Sequence, residues 1–217
     1  MKVNNQTIAA LREDYRAKTL EIVDVHTNPI QQFNEWFQEA LDSQIKEANA
    51  MTIATVDAQG KPAARIVLLK GFDENGFIFY TNYDSRKGQE LAANPNIAVV
   101  FLWKDLERQI RIEGIAEKVA PAVSLNYFQS RPKGSQIGAW ASPQSQVIPN
   151  RSILEQNVLR LKEKYKDADN LPIPSHWGGY QIKPTLIEFW QGRSSRLHDR
   201  LSYTLIEKEW KIERLAP

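Results

Sequence analysis

The densest group of side chains that could do chemistry lies near the end of the chain, in residues 191–200 (QGRSSRLHDR). This segment holds three arginines and a histidine, a composition that excludes a buried core strand. His198 beside Asp199 would titrate near neutral pH, and Arg196 could hold a carboxylate, a phenolate or a phosphate. The residues alone leave two interpretations open, a reactive site or a solvated basic loop between two strands.

A second set of cations lies where the hydrophobic period changes. Residues 77–81 are aromatic and β-branched, which is typical of a half-buried strand, whereas residues 85–94 (SRKGQELAAN) predict a helix that ends before Pro95. Arg86 and Lys87 fall in its first turn, where they oppose the helix dipole, so we expect an anion nearby. They could equally be ordinary surface cations.

Cations also bracket an apolar run at residues 65–70 (RIVLLK). Strict alternation along a strand would point Arg65 and Lys70 to opposite faces, unless the end of the strand re-aims one of them. Arg65 could be an ion-pair partner or a phosphate ligand, since an unpaired buried charge is costly. Lys70 could form a Schiff base, although a lysine before a glycine turn is more often solvated.

Two further polar sets could line a binding site. Gln109 and Arg111 alternate with isoleucines, so the face that they share is either wet or in contact with a ligand. Tyr127, Arg131 and Ser135 lie around the end of a predicted helix. They could hold a second phosphate, or they could form a capped turn.

The elements that must position these residues are mostly strands. Residues 29–45 and 152–166 are amphipathic at helical spacing. Segments with a period of two predict strands at 51–56, 62–70, 77–80, 96–103, 108–119, 180–190, 202–206 and 210–214. Short turns join most of them, which predicts a mostly β fold with flanking α-helices and an antiparallel sheet that can close into a barrel. Since no repeat or linker divides the chain, we expect residues 1–217 to form one domain.

Composition excludes several classes of protein. The chain has no cysteine, which excludes a disulfide framework and a thiolate metal site, and its net charge of +2 is too small to imply nucleic acid as the partner. No apolar leader or membrane span is present, so we expect a cytoplasmic protein. The HExxH, GxSxG, Walker A and GxGxxG patterns are absent from the sequence, and we expect no metal site.

Taken in order, these motifs resemble the pyridoxamine 5'-phosphate oxidase family. The resemblance runs from about Leu11 to Pro217, and its most specific parts are RIVLLK (65–70), SRKG (85–88), RLHDR (196–200) and the ending WKIERLAP (210–217). It implies a split-barrel flavoprotein that works as a homodimer with FMN in the subunit interface. The implied reaction oxidises pyridoxamine or pyridoxine 5'-phosphate to pyridoxal 5'-phosphate with O2, releasing H2O2, and ammonia from the amine.

The resemblance also implies which residues form the site. The implied FMN contacts are Arg65, Ile66, Val67, Leu68, Leu69, Lys70, Tyr80, Thr81, Arg86, Lys87, Gln109, Gln144, Ser145, Trp190 and Arg200. The implied substrate contacts are Arg12, Glu13, Asp14, Tyr15, Lys70, Tyr127, Arg131, Ser135, Arg196, Leu197 and His198. Of these, Arg196 and His198 would be catalytic.

The two ends of the chain complete the implied site. Residues 1–20 would be a lid over it, and residues 171–217 would supply its closing strands. Glu13 and Asp14 make the lid more acidic than the family pattern leads us to expect.

Two other functions remain open at this point. A split-barrel flavoprotein could reduce or store flavin without acting on a pyridoxal-type substrate. A barrel with the same basic loops could also be a non-catalytic binding module, either a pyridoxal-phosphate carrier or a nucleic-acid-binding protein.

Overall fold

Strands dominate the part of the chain that the computed structural model describes, residues 5–11 and 13–217. The β-strands are β1 (Ala50–Val56), β2 (Pro62–Leu68), β3 (Gly71–Asp73), β4 (Gly76–Asn82), β5 (Asn96–Trp103), β6 (Arg108–Lys118), β7 (Trp177–Gln191), β8 (Asp199–Ile206) and β9 (Glu209–Leu215). The α-helices are α1 (Asn5–Ala10), α2 (Pro29–Asp42), α3 (Arg86–Ala93), α4 (Pro121–Ser130), α5 (Lys133–Ala141) and α6 (Ser152–Lys164). Short 3₁₀ helices lie at Ile22–Asp24, Lys104–Leu106 and Ser194–Arg196.

The described strands belong to one nine-stranded sheet. Hydrogen bonds join them in the order β2-β1-β5-β6-β7-β4-β3, and β8 pairs with both β7 and β9. The 15-residue β7 pairs with β4 along its first part and with β8 along its last. These pairs and the β1–β2 hairpin are antiparallel, so the predicted antiparallel sheet is confirmed.

The chain divides into two compact units. The first unit consists of Met1–Ala48, Val100–Ile112 and Leu186–Pro217, and the second consists of Asn49–Val99 and Glu113–Thr185. The expectation of one domain over residues 1–217 stays a prediction.

In the first unit, α2 supplies much of the core. Asn28 caps the helix because its side chain accepts the N–H of Ile30 at 2.8 Å, and Pro29 occupies the first helical position. The apolar stripe then buries Phe33 completely, and its ring lies 5.3 Å from that of Phe101. Aromatic packing of this kind is what the stripe in the sequence predicts.

In the second unit, a helical cluster packs beside the strands. Its buried members are Phe128, Ile137, Ala141, Leu161, Leu171 and Trp177. They come from α4, α5, α6, the connector after α6 and the start of β7, so the three helices share one apolar contact region. This cluster fixes the end of α4, where two of the expected phosphate ligands lie.

Among the described residues, no helix is both long enough and apolar enough to cross a lipid bilayer.

Candidate active site

A cavity of about 660 Å³ lies in the second unit, within the range of roughly 300–1,000 Å³ that small-molecule sites occupy. The expected site residues that line it are Arg65, Ile66, Val67, Leu68, Lys70, Tyr80, Thr81, Arg86, Lys87, Tyr127, Arg131, Gln144 and Ser145. Five of these are cations, and none of the described lining residues is an acid. The cavity is therefore suited to an anionic ligand.

Arg65 and Lys70 reach this cavity together, although strict alternation would have separated them. The regular strand β2 ends at Leu68, and the backbone N–H of Lys70 instead donates to the carbonyl of Ile78 at 2.8 Å. This change of partner at the strand end re-aims Lys70, which was the exception allowed in the sequence prediction. Leu69, between them, is only 4% exposed and packs in the core.

The helix α3 supplies two of the lining cations at its first turn. Ser85 is the N-cap, and its side chain accepts the N–H of Gly88, which confirms the predicted start of this helix. The Lys87 ammonium donates to the hydroxyls of Thr81 and Ser85 at 3.1 and 3.2 Å and to Oε1 of Gln144 at 3.2 Å. Burial lowers the pKa of Lys87, so an added anion would be a favourable partner for this ammonium.

One anion near Arg86 and Lys87 is a side chain of the protein itself, the carboxylate of Glu90. Glu90 is 4% exposed, and its carboxylate accepts from Nε of Arg86 at 2.7 Å and from Nη2 of Arg65 at 2.9 Å. Burial alone would raise the pKa of Glu90, but the hydrogen bonds from Thr55, Arg86 and Arg65 outweigh it and lower that pKa. Arg65 is thus an ion-pair partner and a lining residue at once.

Arg131 has the most unusual surroundings in the cavity. Its Nη1 is buried and has no hydrogen-bond partner among the described residues, while its guanidinium lies 4.7 Å from the ring centroid of Trp177. Burial lowers the pKa of Arg131, and Tyr127 opposes that shift. A buried N–H on a cationic side chain, with no partner among the described residues, can still donate a hydrogen bond, so this guanidinium is suited to an anionic ligand.

Trp177, which packs against Arg131, belongs to a stack of three aromatic rings. The rings of Tyr80 and Tyr127 lie 3.9 Å apart at 19°, and those of Tyr80 and Trp177 lie 5.5 Å apart at 10°. Trp177 was not among the residues expected from the sequence, nor were Asn82 and Ser142, which also line the cavity. From the sequence alone, a tryptophan at the start of a strand looks like an ordinary core residue. Only the stacking of its ring on the Arg131 guanidinium shows that it belongs to the cavity.

Ser135 does not join the other two members of its predicted trio. It is exposed on α5, and it is absent from the described residues that line the cavity. Its expected contact with a phosphate stays a prediction.

In the first unit, Tyr15, Trp190 and His198 form an aromatic cluster. The His198 ring lies 4.5 Å from that of Trp190 and 5.8 Å from that of Tyr15, measured between centroids. A Cβ at Gly192 would lie 2.8 Å from the Cβ of Tyr15, so glycine permits this close approach of the N-terminal segment. Three residues of the expected site, from two distant parts of the sequence, thus meet here.

The loop that carries His198 is held in an uncommon backbone conformation. Ser195 and Arg196 both have positive φ, at 55° and 62°, which non-glycine residues rarely adopt. The backbone N–H of Arg193 donates to Nδ1 of His198 at 3.1 Å. Burial and the charge of Arg196 lower the pKa of His198, and Asp199 opposes them. The imidazole is therefore favoured in its neutral form, with the proton on Nε2.

Arg200, another expected FMN ligand, is held by a bidentate ion pair within the protein. It donates from Nε and Nη2 to the two carboxylate oxygens of Glu188 at 2.8 and 3.0 Å, and Glu188 is only 3% exposed. The same carboxylate accepts from Arg111 at 3.0 Å. Gln109 is half-buried one residue from the buried Ile110, as the predicted alternation along β6 requires.

The remaining expected substrate contacts have varied surroundings in the first unit. Leu197 is 70% exposed and Arg196 is exposed. Glu13 lies 3.6 Å from Lys104, and Asp14 pairs with Arg16 at 2.6 Å. Arg12 lies outside the described residues. The roles expected of these residues stay predictions.

No group of three or more histidine, cysteine or acidic side chains in the described residues could hold a metal ion.

Comparison with known proteins places this geometry in a family. Residues 37–165 match the sequence profile of pyridoxamine 5'-phosphate oxidase, and residues 177–217 match that of the pyridoxine 5'-phosphate oxidase C-terminal dimerisation region. The pyridoxine/pyridoxamine 5'-phosphate oxidase of Acaryochloris marina is 57% identical over 211 residues, covering 97% of this chain and 96% of that protein. That of Burkholderia mallei is 56% identical over 214 residues, covering 97% and 99%. The chain belongs to the pyridoxine/pyridoxamine 5'-phosphate oxidase family.

Solved structures agree with that family and confirm the predicted split-barrel fold. PhzG from Burkholderia lata, crystallised with tetrahydrophenazine-1-carboxylic acid, superposes with a TM-score of 0.88 at 28% identity, covering 94% of this chain and 100% of PhzG. A pyridoxamine 5'-phosphate oxidase-related, FMN-binding protein from Nostoc punctiforme has a TM-score of 0.68 at 19% identity and supports the fold alone. In oxidases of this family, the C-terminal segment is a dimerisation region, and residues 177–217 match it.

Proposed function

We propose that this chain is an FMN-dependent oxidase that converts pyridoxamine 5'-phosphate or pyridoxine 5'-phosphate to pyridoxal 5'-phosphate. O2 is the electron acceptor and is reduced to H2O2, and the amine substrate also releases ammonia. The protein serves the biosynthesis and salvage of vitamin B6. The observation that carries the proposal is the cavity lined by five cations, in which a buried N–H of Arg131 has no hydrogen-bond partner in the part of the chain that the structure describes.

The donor set fits two phosphate-bearing ligands. Arg65, Arg86 and Lys87 would hold the FMN phosphate at the start of α3, where the helix adds its own N–H groups. Lys70 and Arg131, with Tyr127, would hold the substrate phosphate. Two dianions need more positive charge than one cation can supply, and five cations line the cavity, although Arg65 and Arg86 also pair with the buried carboxylate of Glu90.

FMN, when bound, would supply the redox chemistry of the oxidation. The chain's part is to bind the phosphate, to orient the pyridine ring and to hold the reacting amine or alcohol. We assign that last role to Arg196 and His198. FMN contacts from Gln109, Trp190 and Arg200, and a homodimer with FMN at its interface, belong to the same proposal, which the match of residues 177–217 to a dimerisation region supports.

A visible spectrum tests the function directly. Purified protein should show a flavin absorption band, and anaerobic pyridoxamine 5'-phosphate should bleach it, with air restoring it. Colourless protein that takes up no FMN and binds nucleic acid in a salt-dependent way would contradict the proposal and favour the binding-module alternative. A flavin band that substrate does not bleach would favour the flavin-storing alternative.

Replacing Lys87 with alanine should weaken FMN retention. Loss of one charge-assisted hydrogen bond to a phosphate costs about 1.5–3 kcal/mol, which raises the Kd about 10- to 100-fold. Fluorescence titration of flavin-free protein with FMN measures this. Lys162→Ala, at an exposed lysine of α6 in the same unit, is the matched control and should leave the Kd unchanged. Equal affinity in Lys87→Ala and the control would exclude Lys87 as a ligand.

Replacing His198 or Arg196 with alanine should slow the anaerobic bleaching while FMN stays bound. We expect a loss on the order of 10²-fold for each, because positioned proton donors and orienting groups contribute at that level. Stopped-flow absorbance gives the rate, and the flavin content gives the retention. His26→Ala, at a histidine of the same unit that pairs with exposed Glu35, should bleach at the wild-type rate. Unchanged rates in both site variants would remove the catalytic assignment.

A further inference from the structure

Asp199 lies at the junction of three segments of the first unit. Its side chain is largely buried, at 12% exposed. Its Oδ2 accepts from the backbone N–H of Leu20 at 3.1 Å and from Nη1 of Arg193 at 2.8 Å. Its Oδ1 accepts from Nη1 of Arg214 at 2.8 Å. One carboxylate therefore joins the N-terminal segment, the loop before β8 and the last strand β9.

The hydrogen bond from Arg193 to Asp199, called the loop arm of this network, connects Asp199 to His198. Asp199 holds the side chain of Arg193, and the backbone N–H of Arg193 donates to Nδ1 of His198. Because a backbone N–H can only donate, Nδ1 must be an acceptor, and the proton of the neutral imidazole lies on Nε2. The positive φ values of Ser195 and Arg196 bring residues 193 and 198 together across a tight turn. Such a turn needs an anchor, and the Arg193–Asp199 pair supplies one.

The hydrogen bonds of Asp199 and Arg214 to the N-terminal segment also connect to His198. Arg214 donates from Nη2 to the carbonyl of Leu20 at 2.8 Å, so both backbone groups of Leu20 are held, one by Asp199 and one by Arg214. Five residues before Leu20, the ring of Tyr15 packs against His198. Asp199 thus helps to hold both groups that contact the His198 ring here, the backbone N–H of Arg193 and the ring of Tyr15.

We propose that Asp199 is a positioning residue of the reaction, which fixes the loop at residues 193–198 so that His198 presents a protonated Nε2 to the substrate. The role rests on the proposed oxidase function, because His198 matters to catalysis only if that function holds. Asp199 itself touches no reacting atom. The charged and aromatic groups that face His198 are those of Arg196, Asp199, Tyr15 and Trp190.

The test is the Asp199→Asn variant of the purified protein, read by ¹⁵N NMR of the histidine rings. In the wild type, Nδ1 of His198 should appear as a hydrogen-bonded acceptor and Nε2 as the protonated nitrogen. In the variant, both resonances should move toward those of a mixture of tautomers, and the Arg193 amide should exchange with solvent at least about 10-fold faster. A residue that only stabilised the fold would lower Tm without changing the tautomer of the folded population.

Steady-state kinetics give the second reading. We expect kcat for pyridoxamine 5'-phosphate to fall about 10-fold in Asp199→Asn, with KM changed less than about threefold, since the phosphate site lies on other residues. Glu213→Gln removes an exposed acid that pairs with Lys211 on β9, and as the matched control it should change neither the spectrum nor kcat. If Asp199→Asn does not fold, Arg193→Gln removes the loop arm alone and should give the same change in His198.

Two results would overturn the role. One is an unchanged His198 spectrum in both variants, and the other is an unchanged kcat in a variant whose His198 resonances have moved. Failure of the proposed function can be distinguished from failure of this role. If the wild type neither binds flavin nor oxidises the substrate, the proposed function is overturned before any variant is compared.

Discussion

Replacing Arg131 with methionine should lower kcat/KM for pyridoxamine 5'-phosphate by about 10²- to 10³-fold and, at the same time, raise the thermal stability of the ligand-free protein. The first effect follows from the proposed contact between Arg131 and the substrate phosphate, since loss of one partner costs about 2–5 kcal/mol in comparable charge pairs. Most of it should appear in KM, because the phosphate is bound equally in the ground state and the transition state.

The gain in stability follows from Nη1 of Arg131, which is buried and pairs with none of the described residues. An unsatisfied buried polar atom costs about 1–3 kcal/mol, whereas the stacking of the guanidinium on Trp177 returns about 0.5–1 kcal/mol, because the side chain as a whole is only partly buried. The cost exceeds the return, and methionine keeps the contact with the indole ring. We therefore expect a net gain of about 1 kcal/mol, or roughly 2–4 °C in Tm for a chain of this length.

Steady-state kinetics and a thermal melt of flavin-free protein measure the two effects. Arg160→Met, at an exposed arginine of α6 in the same unit, is the matched control and should change neither quantity. A fall in Tm together with wild-type kcat/KM would contradict both halves of the argument. A fall in both quantities would mean that Arg131 stabilises the fold and that its free N–H is not the reason for its position.

Local signals in the sequence were sufficient to predict those elements whose structure depends on residues close together in the chain. The α3 helix was predicted at residues 85–94 and spans Arg86–Ala93, because a serine cap, a helical period and Pro95 fix its two ends. The pair of Arg86 with Glu90, four residues apart, could also have been predicted from its spacing. The contact of Glu90 with Arg65 could not, since 25 residues separate them.

The features that the sequence could not reveal depend on geometry between distant segments. Alternation along β2 separated Arg65 from Lys70, and only the end of the strand at Leu68 shows why they share a cavity. Trp177 looks like one more core aromatic until its ring is found over Arg131. The tautomer of His198 is fixed by a backbone N–H five residues away, in a turn whose positive φ values no residue type announces.

Replacing Glu90 with glutamine should destabilise the protein by about 3 kcal/mol at neutral pH, a fall of roughly 6–12 °C in Tm. The carboxylate is 4% exposed and accepts hydrogen bonds from Thr55, Arg65 and Arg86. Glutamine keeps the shape of the side chain but removes the charge and turns an NH2 group toward one of these donors. Two guanidinium groups would then lose their buried partner, and Arg65 would be held less firmly for the FMN phosphate.

The pH dependence separates charge from packing in this variant. Because the pKa of Glu90 in the folded protein is below its ordinary value of 4.5, its contribution to stability is complete above that value. The contribution is lost as pH falls through the lower folded pKa. Thermal melts of the wild type and Glu90→Gln should therefore converge progressively as pH falls from 4.5 through the lower folded pKa. A gap in Tm that keeps its neutral-pH size throughout this acid range would show that packing, and not charge, is responsible. Glu155→Gln breaks an exposed pair at the same spacing, with Arg151 on α6, and should cost less than about 0.5 kcal/mol at any pH.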